Sequence, residues 1–171
     1  EKKAIFTLHA SEMDYEMKFF ADRGETPTSY LKKIGALNAR LLAAHCIHLS
    51  EGDVELLREG GAAVAHCIGS NTKAAKGVAP IAALAKAGVR YGLGTDGPSS
   101  GNTLSMFDQM RLFAVCHKTA NHDRSIFPAR EIVRAATRGG AEALGAEKEF
   151  GQIRPGMRAD LILVSTDAPH M

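Results

Sequence analysis

Three side chains that can bind a metal ion each stand at the end of an apolar run of this chain. They are His9, His45 and Asp96, which follow the runs 5–8, 41–44 and 89–93. Barrels of alternating strands and helices place their chemistry at the carboxyl ends of the strands. Zinc and iron hydrolases use imidazole nitrogens and a carboxylate as ligands and leave one position open for water. The pattern therefore predicts a metal site that activates water.

Glu12 lies three residues after His9, just beyond the predicted strand. A glutamate in this position can enter the pocket without binding the metal and can carry protons. Each of these residues also has a plainer interpretation. A histidine at a strand end can be a hydrogen-bonded polar residue, Asp96 can be a turn aspartate, and Glu12 can be an acid in the first turn of a helix. The repeated placement at strand ends favours the site.

Further polar residues follow the next strand-like run and the Asp96 loop. His66 either lines the pocket or supports a loop. Ser70, Asn71 and Ser99 either bind substrate or stabilise turns. The remaining histidines after residue 100 are expected at the surface or in loops: His117, His122 and His170.

Apolar, β-prone runs alternate with amphipathic segments, which is typical of β-α units and a parallel sheet. The predicted strands are 5–9, 40–46, 62–66, 89–95 and 159–164. The predicted helices are 12–22, 27–35, 51–60, 80–87, 104–118 and 128–144, the last interrupted near residues 139–140. Loops are expected at 67–79 and 98–102. We expect four side chains of the helix 104–118 to face the core: Met106, Phe107, Met110 and Phe113.

Composition excludes several classes of partner. The chain has 171 residues, 45% of them hydrophobic, no tryptophan and a formal net charge of +2. Such a small charge gives no reason to expect a nucleic acid or membrane partner, and no run of about 20 apolar residues is present. The three cysteines indicate reduced thiols in a cytoplasmic protein.

Four motifs together resemble the amidohydrolase superfamily, in particular the branch of triazine hydrolases and methylthioadenosine/S-adenosylhomocysteine deaminases. They are Leu-His-Ala-Ser-Glu at 8–12, Ala-Ala-His-Cys-Ile-His-Leu at 43–49, Ala-His-Cys-Ile-Gly-Ser-Asn at 65–71 and Leu-Gly-Thr-Asp-Gly at 93–97. Residues 151–161 are similar to the family's return into its small β-sandwich.

The resemblance implies a TIM barrel with one divalent metal, usually zinc, although iron accepts similar ligands. It implies that His9 and Asp96 bind the metal. Glu12 would protonate a ring nitrogen, His45 would orient the attacking water and would not primarily bind metal, and Asp96 would also take the water's proton. The residues expected to contact or support the substrate are Glu12, His45, His66, Ser70, Asn71 and Ser99.

The sequence departs from the family pattern in two places. Nothing in it matches the His-x-His pair that family members carry on the first strand and that completes the metal site. The loop after His66 reads Cys67-Ile68-Gly69, where many relatives have a proline. Because ligands are absent, this stretch alone is expected to bind metal weakly or not at all.

The expected architecture is therefore a partial (β/α)8 barrel with the start of a β-sandwich. Residues 1–149 would form strands five to eight of the barrel with their helices, and residues 150–171 would begin the sandwich. A full barrel needs around 250 residues, so we expect a segment of a longer protein. Open sheet edges would favour a homo-oligomer or association with the missing half.

The expected function of the whole protein is hydrolytic deamination of an amino-substituted heterocycle, with an adenosine-like substrate first. One alternative is a metal hydrolase that acts on a triazine or an amide. A second alternative is a non-catalytic segment that keeps the fold for assembly.

Overall fold

The computed structural model describes residues 4–167, and a parallel four-stranded sheet forms its centre. The strands are β1 (Phe6–Ala10), β2 (Leu41–His45), β3 (Ala63–His66) and β4 (Arg90–Leu93), and they neighbour one another in chain order. In the parallel register, Ala10 lies opposite His45 and His66 lies opposite Leu93. All four carboxyl ends therefore open on the same edge of the sheet. The predicted α/β class and parallel sheet are confirmed.

Helices connect and cover the strands. They are α1 (Asp14–Ala21), α2 (Pro27–Lys33), α3 (Glu51–Gly60), α4 (Ile68–Lys73), α5 (Ile81–Ala87), α6 (Pro98–Gly101), α7 (Met106–Asn121), α8 (Ala129–Ala136) and α9 (Arg138–Ala143). Two of them, α4 and α6, lie in segments predicted to be loops. They are four to six residues long, too short for a recognisable amphipathic pattern. The interruption of the last predicted helix lies at Thr137, just before the two glycines.

Local signals fix where α3 begins and ends. The Ser50 hydroxyl accepts a hydrogen bond from the Asp53 amide, and the Asp53 carboxylate accepts one from the Ser50 amide. This reciprocal pair is a capping box. Gly61 ends the helix in the left-handed conformation with φ of 66°, which glycine adopts without steric cost.

The buried face of α7 differs from the prediction. Phe113 is fully buried and packs in the core, but Phe107 is 53% exposed. The buried positions of the helix are Gln109, Phe113 and His117, which follow one another at four-residue spacing. Phe107 falls outside this stripe, so its apolar side chain lies on the outer side of the helix.

The last predicted strand, 159–164, is not a strand in the structure. Residues 158–167 have no regular secondary structure, and Leu161, Ile162 and Leu163 are exposed. A strand needs a hydrogen-bonding neighbour, and no other described strand pairs with this segment. The β-sandwich stays a prediction. Among residues 4–167, no helix combines the length and the apolar character that crossing a membrane requires.

Candidate metal and catalytic site

The carboxyl edge of the sheet brings together four predicted site residues. His9 lies in β1, Glu12 in the loop after it, His45 at the end of β2 and Asp96 in the loop after β4. The His9 Nδ1 atom is 3.0 Å from Glu12 Oε2. The His45 Nε2 atom is 3.5 Å from Glu12 Oε1 and 3.9 Å from Asp96 Oδ2. His45 thus stands between the two carboxylates.

Unusual backbone conformations turn the chain at this edge. Ser11, His45, Cys46 and Asp96 all have positive φ, at 50°, 71°, 50° and 58°. Residues other than glycine adopt this region at an energetic cost, and such residues cluster at functional sites. These residues lie where the chain leaves the strands whose ends carry the site side chains.

His45 is fully buried, and its two ring nitrogens have different surroundings. Its Nδ1 atom is 2.8 Å from the Asn71 side-chain oxygen. Its Nε2 atom has no hydrogen-bond partner among the described residues, because both carboxylates lie too far away. A buried nitrogen in this condition fits a site in which a water molecule or a cation is held between His45 and the acids.

Glu12 is held as a carboxylate by the hydrogen-bond donors around it. Burial raises the pKa of Glu12, but the hydrogen bonds from Lys76 and His9, together with the charge of Lys76, bring the pKa below its ordinary value. The Lys76 ammonium is 2.5 Å from Glu12 Oε1. The sequence does not indicate that Lys76 belongs to the site, since no spacing relates a loop lysine to an acid 64 residues earlier.

Asp96 is also stabilised in its charged form. Burial raises its pKa, but hydrogen bonds from Ser70, the Gly97 amide and Ser100 bring the pKa below its ordinary value. The Gly97 amide donates to Asp96 Oδ1 at 2.6 Å. The two acids of the site are therefore both ionised near neutral pH, and each is able to accept a proton.

Buried residues of the helix α4 contact two of the site residues. Ser70 and Asn71 are buried, and they contact Asp96 and His45 respectively. Lys73 donates to the backbone oxygen of Ser99 at 2.8 Å, which ties the loop after Asp96 to the same helix. Direct contact of Ser70, Asn71 or Ser99 with substrate stays a prediction.

His66 forms a buried pair with a histidine that was expected at the surface. The Nε2 atoms of His66 and His117 are 3.0 Å apart, and both rings pack against Phe113. Burial lowers the pKa of His66 far below its ordinary value and that of His117 to about 4. The surface prediction for His117 is wrong, because the residue continues the buried stripe of α7 and finds its polar partner in His66.

The other two histidines of that group differ in outcome. His122 is exposed just after α7, as predicted, and His170 lies outside the described residues. A role for His66 in substrate contact stays a prediction; the contacts of its ring are with α7.

The residues present fit a divalent cation. His9, Glu12 and His45 offer three ligand atoms within 4.8 Å of one another. Asp96 adds a carboxylate 3.9 Å from the same His45 nitrogen that Glu12 approaches, Nε2. Imidazole nitrogen and carboxylate oxygen suit zinc and ferrous iron. Glu12 belongs to this group by distance, although the resemblance to the amidohydrolase superfamily gives it the role of a proton carrier. The assignment of His9 and Asp96 as the metal ligands stays a prediction.

Comparison with known proteins decides the family. The model of the amidohydrolase family matches residues 1–170. The chain belongs to the amidohydrolase family. This amidohydrolase is 45% identical over 165 residues to a 5-methylthioadenosine/S-adenosylhomocysteine deaminase of Pelotomaculum thermopropionicum, and the match covers 96% of the chain but 38% of that protein. The equivalent deaminase of Desulforudis audaxviator is 41% identical with the same coverage.

Solved structures agree with this assignment. An adenosine deaminase of Xanthomonas campestris with bound zinc superposes with a TM-score of 0.86 at 39% identity, over 91% of this amidohydrolase and 36% of that chain. An atrazine chlorohydrolase of Arthrobacter aurescens in complex with zinc gives a TM-score of 0.84 at 30% identity, over 91% and 35%. The family indicated by the four motifs is confirmed.

Proposed function

We propose that this amidohydrolase chain belongs to a metal-dependent deaminase that hydrolyses the exocyclic amine of a purine-like ring. An adenosine-like substrate, such as methylthioadenosine or S-adenosylhomocysteine, is the first choice because the similar curated proteins carry that name. The observation that carries the proposal is His45, buried beside two ionised carboxylates at the carboxyl edge of the parallel sheet. This is an arrangement for moving protons to and from a water molecule.

A divalent cation, zinc by analogy with the solved neighbours or else iron, would supply a water with a pKa lowered toward ~7. In this chain His9 and Asp96 would hold that cation. The other contributions come from the protein's own groups. His45 orients the water through Nε2, which faces both acids.

The two carboxylates account for the two protons that the water loses. Glu12 takes one proton and delivers it to the ring nitrogen, and Asp96 takes the other and delivers it to the departing amine. The water oxygen becomes the carbonyl oxygen of the product, the bond between carbon and amine breaks, and ammonia leaves. Each acid returns to the charged state that its surroundings favour.

The rest of the barrel would come from polypeptide beyond this chain. The chain covers 38% of the first curated relative, and in the described residues β1 and β4 each pair with one neighbour. We assign residues 1–149 to the second half of a TIM barrel and residues 150–171 to the start of the small sandwich. The free edges of β1 and β4 would then receive the remaining strands, from the same polypeptide or from an associated one.

A hydrolase of halogenated triazines is the second candidate, because the atrazine chlorohydrolase shares the fold at 30% identity. Both reactions add water to a carbon of an aromatic ring. Incubation of the full-length protein with adenosine-like substrates and with chlorotriazines distinguishes them, since one releases ammonia and the other chloride.

The substitution Glu12→Gln in the full-length protein tests the proposal. Glutamine keeps the shape but cannot carry a proton, so we expect turnover to fall by about 10²–10⁴-fold while zinc content, measured by atomic emission, stays near that of the wild type. Glu51→Gln is the matched control, because Glu51 is an exposed acid at the start of α3. Unchanged turnover in Glu12→Gln would refute the role of Glu12.

A further inference from the structure

One more side chain contacts His45, at its Nδ1 atom. The residue that carries this side chain has no role in the reaction steps proposed above. Asn71 is fully buried in α4, and its Oδ1 atom is 2.8 Å from His45 Nδ1. A carbonyl oxygen can only accept a hydrogen bond. Nδ1 must therefore carry a hydrogen when this oxygen faces it, and a neutral imidazole then has its lone pair on Nε2.

That lone pair points into the site. Nε2 has no hydrogen-bond partner among the described residues and lies 3.5 Å from Glu12 Oε1 and 3.9 Å from Asp96 Oδ2. If Nε2 carried a hydrogen, we would expect a carboxylate to approach within hydrogen-bonding distance. Instead, Glu12 Oε1 contacts the Lys76 ammonium.

The proposed reaction needs hydrogen-bond acceptors beside the attacking water. A water that directs its lone pairs toward a cation and a ring carbon has only its two O–H bonds left for the protein. Groups beside it must then accept hydrogen bonds. A carboxylate always does so, but an imidazole nitrogen does so only in the correct tautomer.

The backbone holds Asn71 in place for this contact. The backbone amide of Asn71 donates to the backbone oxygen of Cys67 at 3.0 Å. The backbone carbonyl of Asn71 accepts from the backbone amide of Lys76 at 2.9 Å. At the start of α4, the Gly69 amide donates to the buried side chain of Gln109 at 2.9 Å. Backbone hydrogen bonds to residues before and after α4 thus hold Asn71 in place. The helix itself is anchored to α7.

We propose that Asn71 is a positioning residue that fixes His45 in the tautomer with hydrogen on Nδ1, so that Nε2 accepts a hydrogen bond from the attacking water. The catalytic part of this statement rests on the proposed function, whereas the tautomer itself does not. The short helix α4 then does more than pack against the sheet, because its Asn71 determines which nitrogen of His45 carries the hydrogen.

Nitrogen NMR of the metal-free full-length protein tests the tautomer directly. Histidine labelled with ¹⁵N shows separate signals for the nitrogen that carries hydrogen and for the one with the lone pair. Loss of signals in His45→Gln assigns them. We expect His45 to show hydrogen on Nδ1 and a lone pair on Nε2. Hydrogen on Nε2 in the wild type would overturn the inference, whatever the enzyme's activity.

Two substitutions test the role of Asn71. Asn71→Asp keeps an oxygen acceptor and should keep the tautomer. Asn71→Leu has a similar shape without an acceptor, and the NMR signals should show loss of the single tautomer. Asn121→Leu, which removes a side-chain hydrogen bond at the end of α7, is the matched control and should leave the His45 signals unchanged. A wild-type tautomer in Asn71→Leu would overturn the inference.

Activity provides the second measurement. We expect kcat of Asn71→Leu to fall about 10–100-fold with little change in KM and zinc content, and Asn71→Asp to recover part of the loss. A wild-type protein that shows the expected tautomer but no deamination would contradict the proposed function alone. A deaminase whose Asn71→Leu variant keeps full kcat would contradict the role of Asn71 alone.

Discussion

At the scale of single residues, the site and its support use histidine in two opposite ways. His45 keeps one nitrogen free to face two acids, whereas His66 and His117 pair through their Nε2 atoms within the apolar packing of Phe113 and Phe127. We propose that the first arrangement serves chemistry. The second keeps two imidazoles neutral, because charging either ring inside this packing is costly.

The buried histidine pair predicts loss of stability in acid. The pKa of His117 is about 4 in the folded protein, against an ordinary value of 6.5. The folded state therefore binds fewer protons than the unfolded state between these values. The stabilising contribution is complete above pH ~6.5 and is lost as the pH falls toward 4, at up to about 1.4 kcal/mol per pH unit for one histidine.

The substitution His117→Gln isolates this effect. Glutamine retains hydrogen bonding to His66 but does not titrate, so we expect a smaller decrease in the free energy of unfolding from pH 6.5 to pH 4 than in the wild type. Urea denaturation at several pH values measures it. His122→Gln, at an exposed position, should follow the wild-type curve. Equal slopes for His117→Gln and the wild type would contradict the assignment.

At the scale of elements, the contact between β4 and α9 depends on glycine. A Cβ atom on Gly92 would lie 2.6 Å from the Gly140 Cα atom and 2.8 Å from its nitrogen, and backbone atoms cannot move aside cheaply. The helix α9 therefore packs directly on the strand that leads to Asp96. A side chain at position 92 would therefore push the strand and the helix apart.

The pair Gly92→Ala and Gly140→Ala tests this packing. We expect Gly92→Ala to destabilise the protein by about 1–3 kcal/mol, because overpacking separates the strand from the helix. In contrast, Gly140→Ala meets nothing within 4 Å and should be neutral or stabilising, since alanine favours helix. Thermal unfolding compares the two. Equal stability of both variants would show that the strand and the helix are not in such close contact.

For the molecule as a whole, we propose that the site is one part of a larger ring of strands. The described sheet has four strands, and the chain covers about a third of each solved neighbour cited above. His9 is the most open of the proposed ligands, with 61% of its side chain exposed. This exposure is consistent with further groups approaching the cation from the side of β1.

Zinc affinity distinguishes the segment from the complete protein. We expect residues 1–171 alone to bind zinc weakly, because too few ligands are present, and the full-length protein to bind it tightly. Competition with a chromophoric chelator measures both, and His9→Ala should weaken the full-length protein further. Equal affinity of the two polypeptides would contradict the proposal that ligands lie outside this chain.

The sequence alone predicted the four strands of the sheet and the family, but it did not predict the short helices α4 and α6, and it predicted a strand at 159–164 that the structure does not show. Alternation of apolar runs with capped helices predicted the four strands, and serine, glycine and proline signals predicted the helix ends, because these effects are local. The residues at strand ends were also predictable, since parallel strands bring their carboxyl ends to one edge.

Which polar groups meet depends on how the helices pack against the sheet. The contacts between Lys76 and Glu12, between Asn71 and His45, and between His117 and His66 join positions 64, 26 and 51 residues apart. No period or spacing encodes such pairs. They arise where α4, the loop after it and α7 pack against the sheet, because a hydrogen bond between two buried polar groups offsets part of the cost of removing them from water.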